Sequence, residues 1–291
     1  RQVAAGVDYI KLYAGLTPPL IRAGIEQAHR RGKKAIGHLF ATSWTDAATA
    51  GIDGIVHIVP GNPSLLPEAR RGPFVRSIKG TQFMLTWFGH LDPGSPEIAE
   101  MIAALKAHDV VIDPTLVVFE GMVRGNDSSY IHGPDQDYTP PLLLENWRKD
   151  FTLSRGWSES DYAETRALWP KVLAFTKQLY DAGVFLTVGT DLANPWVPPG
   201  VSVHREMELL VEAGIPPMAV LTMATANGAR ALGIADEVGT IEPGKVADLV
   251  VLNADPRADI RNTRSIEWVI QGGRMERPAT FLPPRLARRS R

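Results

Sequence analysis

Four side chains that can bind a metal ion or carry a proton stand at the ends of short apolar segments. They are Lys11, His38, His57 and Asp191. Such segments predict buried strands, and the carboxyl ends of parallel strands meet at one edge of a sheet. Charged groups and imidazoles gathered in a buried place need partners, and a divalent metal ion is one such partner. The set therefore predicts a metal site.

Each of these residues also has a structural interpretation when it is taken alone. A histidine at a strand end is more often a hydrogen-bonded structural residue than a ligand. A lysine in that place commonly extends to solvent, and an aspartate such as Asp191 can stabilise a turn. Only the four residues together favour a metal-binding function over ordinary packing.

The elements that must position these residues alternate between strands and helices. Residues 1–57 predict three strands, over 7–13, 34–38 and 52–57, separated by helices that begin near Pro18 and Ser43. This alternation is typical of parallel βαβ units. Farther along, the pattern predicts helices over 96–108, 169–182, 204–213 and 217–232, and strands over 110–114 and 184–189.

Three stretches depart from this alternation. Residues 58–95 and 121–160 predict irregular structure, and the second stretch, rich in Gly, Asp, Pro and Trp, is typical of an excursion that covers an active site. From Val238 onward a turn cluster and apolar segments over 247–252 and 266–270 predict a small β module.

Five further residues are candidates for contact with a substrate, because they follow the metal candidates, lie in the excursion or open the helix after Asp191. They are Trp44, Tyr130, His132, Trp196 and His204. The alternative for each is ordinary loop packing or a place on a helix surface.

Composition excludes several classes of protein and of site. The net charge is -1, from 31 basic and 32 acidic residues, so nothing predicts a nucleic-acid or membrane surface. No apolar run approaches the ~20 residues of a membrane span. The chain has no cysteine, which excludes disulfides and thiolate metal sites and leaves the compartment undecided. The basic tail that ends at Arg291 is expected to be solvated.

Eight segments resemble the amidohydrolase superfamily, particularly its prolidase-like and imidazolonepropionase-like members, and they follow the family's order. They read "DYIKLY", "AHRRGKKAIGHL", "AGIDGIVHIVP", "VIDPTL", "LTVGTDLAN", "MATANGARALG", "GTIEPGKVADLVVLNADP" and "WVIQGGR". The resemblance implies a (β/α)8 TIM-type barrel over 1–235, a small C-terminal β-sandwich module over 236–275 and a tail over 276–291.

The resemblance also implies a role for each metal candidate. Lys11 matches the lysine that takes up CO2 as a carbamate and bridges two metal ions. His38 and His57 match ligands of the second ion, and Asp191 matches a ligand of the first ion that is also the general base. Imidazole and oxygen donors suit zinc, with manganese or cobalt as alternatives, and one or two ions are expected.

One departure from the family is plain. The family's first barrel strand carries a His-x-His pair, and this sequence contains none; its other histidines are His29, His90, His108, His132 and His204. The N-terminal strands of the barrel are therefore expected to be missing from this sequence. We expect either a fragment of a longer enzyme or a second chain that completes it.

The expected reaction is metal-dependent hydrolysis of a C–N bond in a small amide, dipeptide or cyclic amide. An ester, lactone or phosphotriester hydrolase on the same scaffold is the first alternative. A catalytically inactive scaffold or binding protein is the second, and the absence of the His-x-His pair favours it. The retention of the other four ligands opposes it. Association into homo-oligomers is left open.

Overall fold

A computed structural model of the chain describes residues 2–149 and 151–282. It contains two compact units. The first comprises the chain up to Thr115 together with Gly156–Leu186, and the second comprises Leu116–Arg155 and the chain from Thr187 onward. None of the described helices is long and apolar enough to cross a membrane.

The strands form two sheets. The bounds are β1 Tyr9–Leu12, β2 Lys34–Gly37, β3 Gly54–Val56, β4 Val111–Asp113, β5 Phe185–Leu186, β6 Leu249–Leu252, β7 Ile266–Gln271 and β8 Arg274–Glu276. The α-helices are α1 Pro18–His29, α2 Trp44–Thr49, α3 Glu68–Ser77, α4 Phe83–His90, α5 Pro96–Ala107, α6 Leu116–Val123, α7 Ser128–Ile131, α8 Pro141–Lys149, α9 Glu159–Asp181, α10 Val201–Glu212, α11 Pro217–Thr222 and α12 Gly228–Leu232.

The first unit is built on a parallel sheet in which β1 to β5 pair in the order of the chain. Helix α1 shows how the sequence specifies its elements. Pro18 stands at its first position, where the missing N–H costs nothing, and Ile21, Ile25 and Ala28 bury one face. Ser43 caps α2 by accepting a hydrogen bond from the backbone N–H of Asp46 at 3.0 Å. The predicted α/β fold with a parallel sheet is confirmed.

Two stretches predicted to be irregular contain helices instead. Residues 58–95 contain α3 and α4, and residues 121–160 contain the last three residues of α6 and all of α7 and α8. Helix α3 gives almost no periodic signal, because it contains Gly72 and Pro73 and buries only Phe74. Tertiary packing overrides its weak propensity for a helix.

Helix α9 begins at Glu159, ten residues before the predicted start at 169. A capping box explains the early start, since the hydroxyl of Ser158 accepts from the backbone N–H of Asp161 and the Asp161 carboxylate accepts from that of Ser158. The segment predicted as one helix over 217–232 is α11 and α12 joined by a π-helical turn, Met223–Asn227.

The second unit holds the antiparallel sheet of β6, β7 and β8. All residues of its helix α6 are buried. The N-terminus of α6 is held by Glu206 on α10, whose carboxylate accepts from the backbone N–H groups of Leu116 and Val117 at 2.8 and 2.7 Å. A carboxylate at a helix N-terminus accepts hydrogen bonds from backbone N–H groups that have no partner within the helix, and its negative charge complements the helix dipole.

Barrel closure, the β-sandwich and the domain boundaries at 235 and 275 stay predictions. In the predicted tail of 276–291, β8 ends at Glu276 and a 3₁₀ turn covers Pro278–Thr280. The basic part of the tail, from Arg285 to Arg291, lies outside the described residues.

Candidate metal centre

Three of the predicted ligands lie on neighbouring strands of the first unit. Lys11 is on β1, His38 follows β2 and His57 follows β3. Main-chain hydrogen bonds continue past the strand ends. The N–H of His38 donates to the carbonyl of Leu12 at 3.0 Å, and the N–H of His57 donates to that of Asp113 at 2.8 Å. The backbone of both histidines is therefore fixed by the sheet.

The two imidazoles are in contact with each other. Their ring centroids lie 4.5 Å apart and the ring planes meet at 72°. The His38 ring also contacts Tyr13 and Phe40, with centroids at 4.9 and 4.8 Å. Aromatic neighbours on two sides restrict the rotation of His38.

Burial and charge keep both histidines neutral. Burial, followed by the charges of His38 and Lys11, lowers the pKa of His57 to about 3. Burial and then the charge of Lys11 lower the pKa of His38 to about 4. Both rings therefore carry a lone pair at neutral pH, which is the form of histidine that binds metal ions.

The backbone at this place is strained. His57 has φ +73° and Thr115, just after β4, has φ +48°. Positive φ is costly for any residue with a Cβ and unusual for a β-branched one, and such strain concentrates at functional sites. The Thr115 hydroxyl lies 2.8 Å from Nδ1 of His57. Sequence reasoning missed Thr115, although it lies only two residues after the end of β4.

These donors fit a metal ion in part. In the described part of the chain, no three His, Cys, Asp or Glu side chains are grouped closely enough to hold one. Two neutral imidazoles lie together, however, and the charge of Lys11 contributes to the lowered pKa of both. An ammonium group repels a metal ion, whereas a carbamate on the same nitrogen would supply an anionic oxygen.

Asp191 lies in the second unit, in a turn after the predicted strand. Its backbone has φ +49°, and Ala193 and Trp196 nearby have φ +82° and +66°. The side-chain amide of Asn194 donates to Oδ2 of Asp191 at 2.7 Å and to its carbonyl oxygen at 2.9 Å. These bonds fix the direction of the carboxylate.

Two of the predicted substrate residues, Tyr130 and Trp196, line a cavity of about 230 Å³ in the second unit. The guanidinium of Arg124 lies over the Tyr130 ring, 4.4 Å from its centroid. Arg205 and Arg264 also line this cavity. Its wall is therefore both aromatic and highly charged.

The other three substrate candidates lie elsewhere. Trp44 is fully buried in the first unit and packs on Phe175. In the second unit, Nδ1 of His132 lies 3.0 Å from Nη2 of Arg148, and Nδ1 of His204 lies 3.0 Å from the Thr263 hydroxyl. A substrate role for these residues stays a prediction.

The sequence model of the amidohydrolase family matches residues 13–275. The chain belongs to this family. The resemblance seen in the sequence is thereby confirmed.

Curated relatives match this amidohydrolase over part of their length. Imidazolonepropionase of Geobacillus kaustophilus is 39% identical over 106 residues, which are 35% of this chain and 25% of the relative. The 5'-deoxyadenosine deaminase of Methanothermobacter thermautotrophicus is 32% identical over 134 residues, which are 44% of this chain and 31% of that protein.

Solved structures share the fold. A Xaa-Pro dipeptidase with bound methionine superposes with a TM-score of 0.62 at 20% identity, covering 95% of this chain and 56% of that structure. Bottromycin amidohydrolase gives a TM-score of 0.67 at 22% identity, covering 94% and 57%. The chain thus spans about half the length of these structures and about a quarter to a third of these two curated relatives.

Proposed function

We propose that the chain carries the catalytic residues of a metal-dependent amidohydrolase that cleaves a C–N bond in a small amide, dipeptide or cyclic amide. Membership of the family supports the reaction class. The observation that carries the proposal is the pair of buried, neutral imidazoles, His38 and His57, at the carboxyl ends of adjacent parallel strands.

The proposed architecture is the family's (β/α)8 barrel with a β-sandwich module over 236–275. Five parallel strands that pair in chain order support the barrel. The antiparallel sheet of β6 to β8 supports the module. The TM-scores of the two solved structures are consistent with the barrel.

His38, His57 and Lys11, the last as a carbamate, are the proposed ligands in the first unit. Zinc is the preferred ion, with manganese or cobalt as alternatives, and one or two ions are proposed. When bound, a divalent ion polarises the scissile carbonyl and lowers the pKa of water toward neutrality. The sheet holds the backbone of both histidines in place through main-chain hydrogen bonds, so little ordering would be needed when a metal binds.

Asp191 is proposed both as a metal ligand and as the residue that moves the proton. Its carboxylate would accept a proton from the attacking water and return it to the leaving nitrogen. The hydrogen bond from Asn194 supports this role, because it keeps the carboxylate in one orientation. Tyr130 and Trp196, which share a cavity, are the preferred candidates for substrate contact.

Metal content and turnover test the proposal together. The protein, its H38A and H57A variants and the control H108A would be loaded with Zn²⁺, dialysed and analysed for bound metal. His108 is an exposed residue at the end of α5. We expect H38A and H57A to lose metal and H108A to retain it. Equal metal in all four proteins contradicts the proposal. A panel of small amides, dipeptides, cyclic amides, esters and lactones then identifies the bond that is cleaved.

A further inference from the structure

We propose that Thr115 is a positioning residue, which holds His57 so that Nε2 of the ring is presented as the metal-binding nitrogen. The proposal deepens the function proposed above and rests on it. Thr115 itself is not proposed to bind metal or substrate. Its role would be exerted through His57.

The sheet brings the two residues together. Strands β3 and β4 pair in parallel with Val56 opposite Asp113. Their pairing continues past the strand ends, where the N–H of Ile58 donates to the carbonyl of Pro114 at 2.9 Å. The two chains therefore run side by side up to Thr115, and its hydroxyl reaches Nδ1 of His57 at 2.8 Å.

Burial makes this hydrogen bond difficult to replace. His57 is 6% exposed and Thr115 is 3% exposed. If the hydroxyl is removed, water therefore has little access to Nδ1 and cannot readily replace the lost hydrogen bond. The bond is one of the constraints that keep a buried imidazole in a single orientation.

The strained backbone indicates that this geometry is maintained against a cost. Both His57 and Thr115 have positive φ, and a β-branched residue is among the least suited to that conformation. Glycine or asparagine would relieve the strain but could not place a hydroxyl against Nδ1 in the same way. The choice of threonine is explained if its hydroxyl has a function.

The hydrogen bond occupies Nδ1 and thereby assigns metal binding to Nε2. A neutral imidazole carries one N–H, and a ring that offers its Nε2 lone pair to a metal carries its proton on Nδ1. That N–H would donate to the hydroxyl oxygen of Thr115. Partners of this kind orient metal-binding histidines in proteins, and their loss commonly lowers metal affinity 10- to 100-fold.

The test compares T115V, T115A and T115S with wild type and with T176V. Valine keeps the shape of threonine, and alanine is the second variant without a hydroxyl should valine impair folding. Thr176 is a buried threonine in the same unit, whose hydroxyl donates to the carbonyl of Val172, and T176V is the matched control. Long-range ¹H–¹⁵N spectra of the metal-free protein report the tautomer of His57, and Co²⁺ titration reports affinity.

We expect wild type, T115S and T176V to show one and the same His57 tautomer and to bind Co²⁺ alike. T115V and T115A should show mixed tautomers and a loss of affinity of about 10- to 100-fold. If T115V and T115A keep the wild-type tautomer and affinity while H57A loses metal, the role of Thr115 is overturned and the proposed function stands. If H57A binds Co²⁺ as wild type does, the proposed function is overturned, and this proposal with it.

Discussion

The carboxylate of Glu206 accepts a hydrogen bond from the backbone N–H of Val117 at 2.7 Å, and the side chain is completely buried. A second bond, from the N–H of Leu116, occupies its other oxygen. This residue on α10 thereby completes the N-terminus of α6. Its place explains why a polar residue is tolerated in the core of the second unit.

Glu206→Gln should destabilise the protein. The amide keeps one acceptor oxygen but turns an NH2 group toward a backbone N–H, so one buried donor loses its partner. The expected loss is about 1–3 kcal/mol in the free energy of unfolding, measured by urea denaturation. Glu100→Gln, at an exposed position on α5, is the control and should change stability little. An unaltered denaturation midpoint for Glu206→Gln would show that the charge is not required.

Arg205 is expected to be irreplaceable by lysine. Its guanidinium donates from Nε and Nη2 to the two oxygens of the buried Glu120, and from Nη1 to Glu212. Lysine cannot form the paired bonds, so Arg205→Lys should lower the free energy of unfolding by about 1–3 kcal/mol. Lys177→Arg, in the exposed pair with Asp181, is the comparison and should be nearly neutral. Equal stability of the two variants would contradict this expectation.

Lys11→Ala should remove at least one metal ion and nearly all turnover. The variant cannot form a carbamate, and the anionic oxygen ligand is lost. Short carboxylic acids such as acetate or propionate are expected to restore part of the metal content by taking its place. Metal analysis with and without the acid measures the effect, and Lys33→Ala serves as control. Full metal and activity in Lys11→Ala would exclude Lys11 as a ligand.

Asp191→Asn should lower kcat steeply with a smaller change in KM. The amide cannot accept the proton from water, so the effect falls on the chemical step. Asn194→Ala should give a weaker effect of the same kind, because the carboxylate loses the hydrogen bond that orients it. Initial-rate kinetics over a range of substrate concentrations separates the two constants. A change confined to KM would make Asp191 a binding residue.

The metal-free protein should lose stability as the pH falls from about 6.5 to about 4. In this range the unfolded chain protonates His38 and His57, whereas the folded protein keeps both neutral, with pKa values lowered to about 4 and about 3. The unfolded state therefore binds more protons, and each such histidine contributes a slope of ~1.4 kcal/mol per pH unit. Urea denaturation across this range measures the slope, and His57→Gln should reduce it. A free energy of unfolding that does not change with pH in this range would contradict the conclusion that both histidines are neutral in the folded protein.

The sequence was informative wherever one physical effect dominated. Helix α1 could be predicted because Pro18 marks its start and the buried positions Ile21 and Ile25 recur at helical spacing. The strand ends that carry His38 and His57 could be predicted because each follows a continuous apolar run. These signals depend on a few neighbouring residues, so they can be read without knowledge of the tertiary packing.

The failures have equally specific causes. Helix α3 contains Gly72 and Pro73, so its formation depends on packing that no local pattern encodes. Thr115 could not be found because a hydroxyl carries no metal-binding signature, and its importance depends on pairing between β3 and β4. The capping box of Ser158 and Asp161 was a readable signal for the start of α9, but it lies in a stretch whose composition favours loops.

The π-helical turn at Met223–Asn227 determines which side of the segment from α11 to α12 faces inward. Val220 and Ala229 are both buried, at 0% and 5% exposure. Nine residues of uninterrupted α-helix turn through about 900°, which would place the two side chains on opposite sides. One extra residue absorbed by a wider turn reduces the difference to about 80°, so both can face the interior. The turn thus behaves as a one-residue insertion accommodated without breaking the helix. Deleting a single residue within it would leave eight regular helical steps, about 800°, between the two positions, and Ala229 would still face the interior.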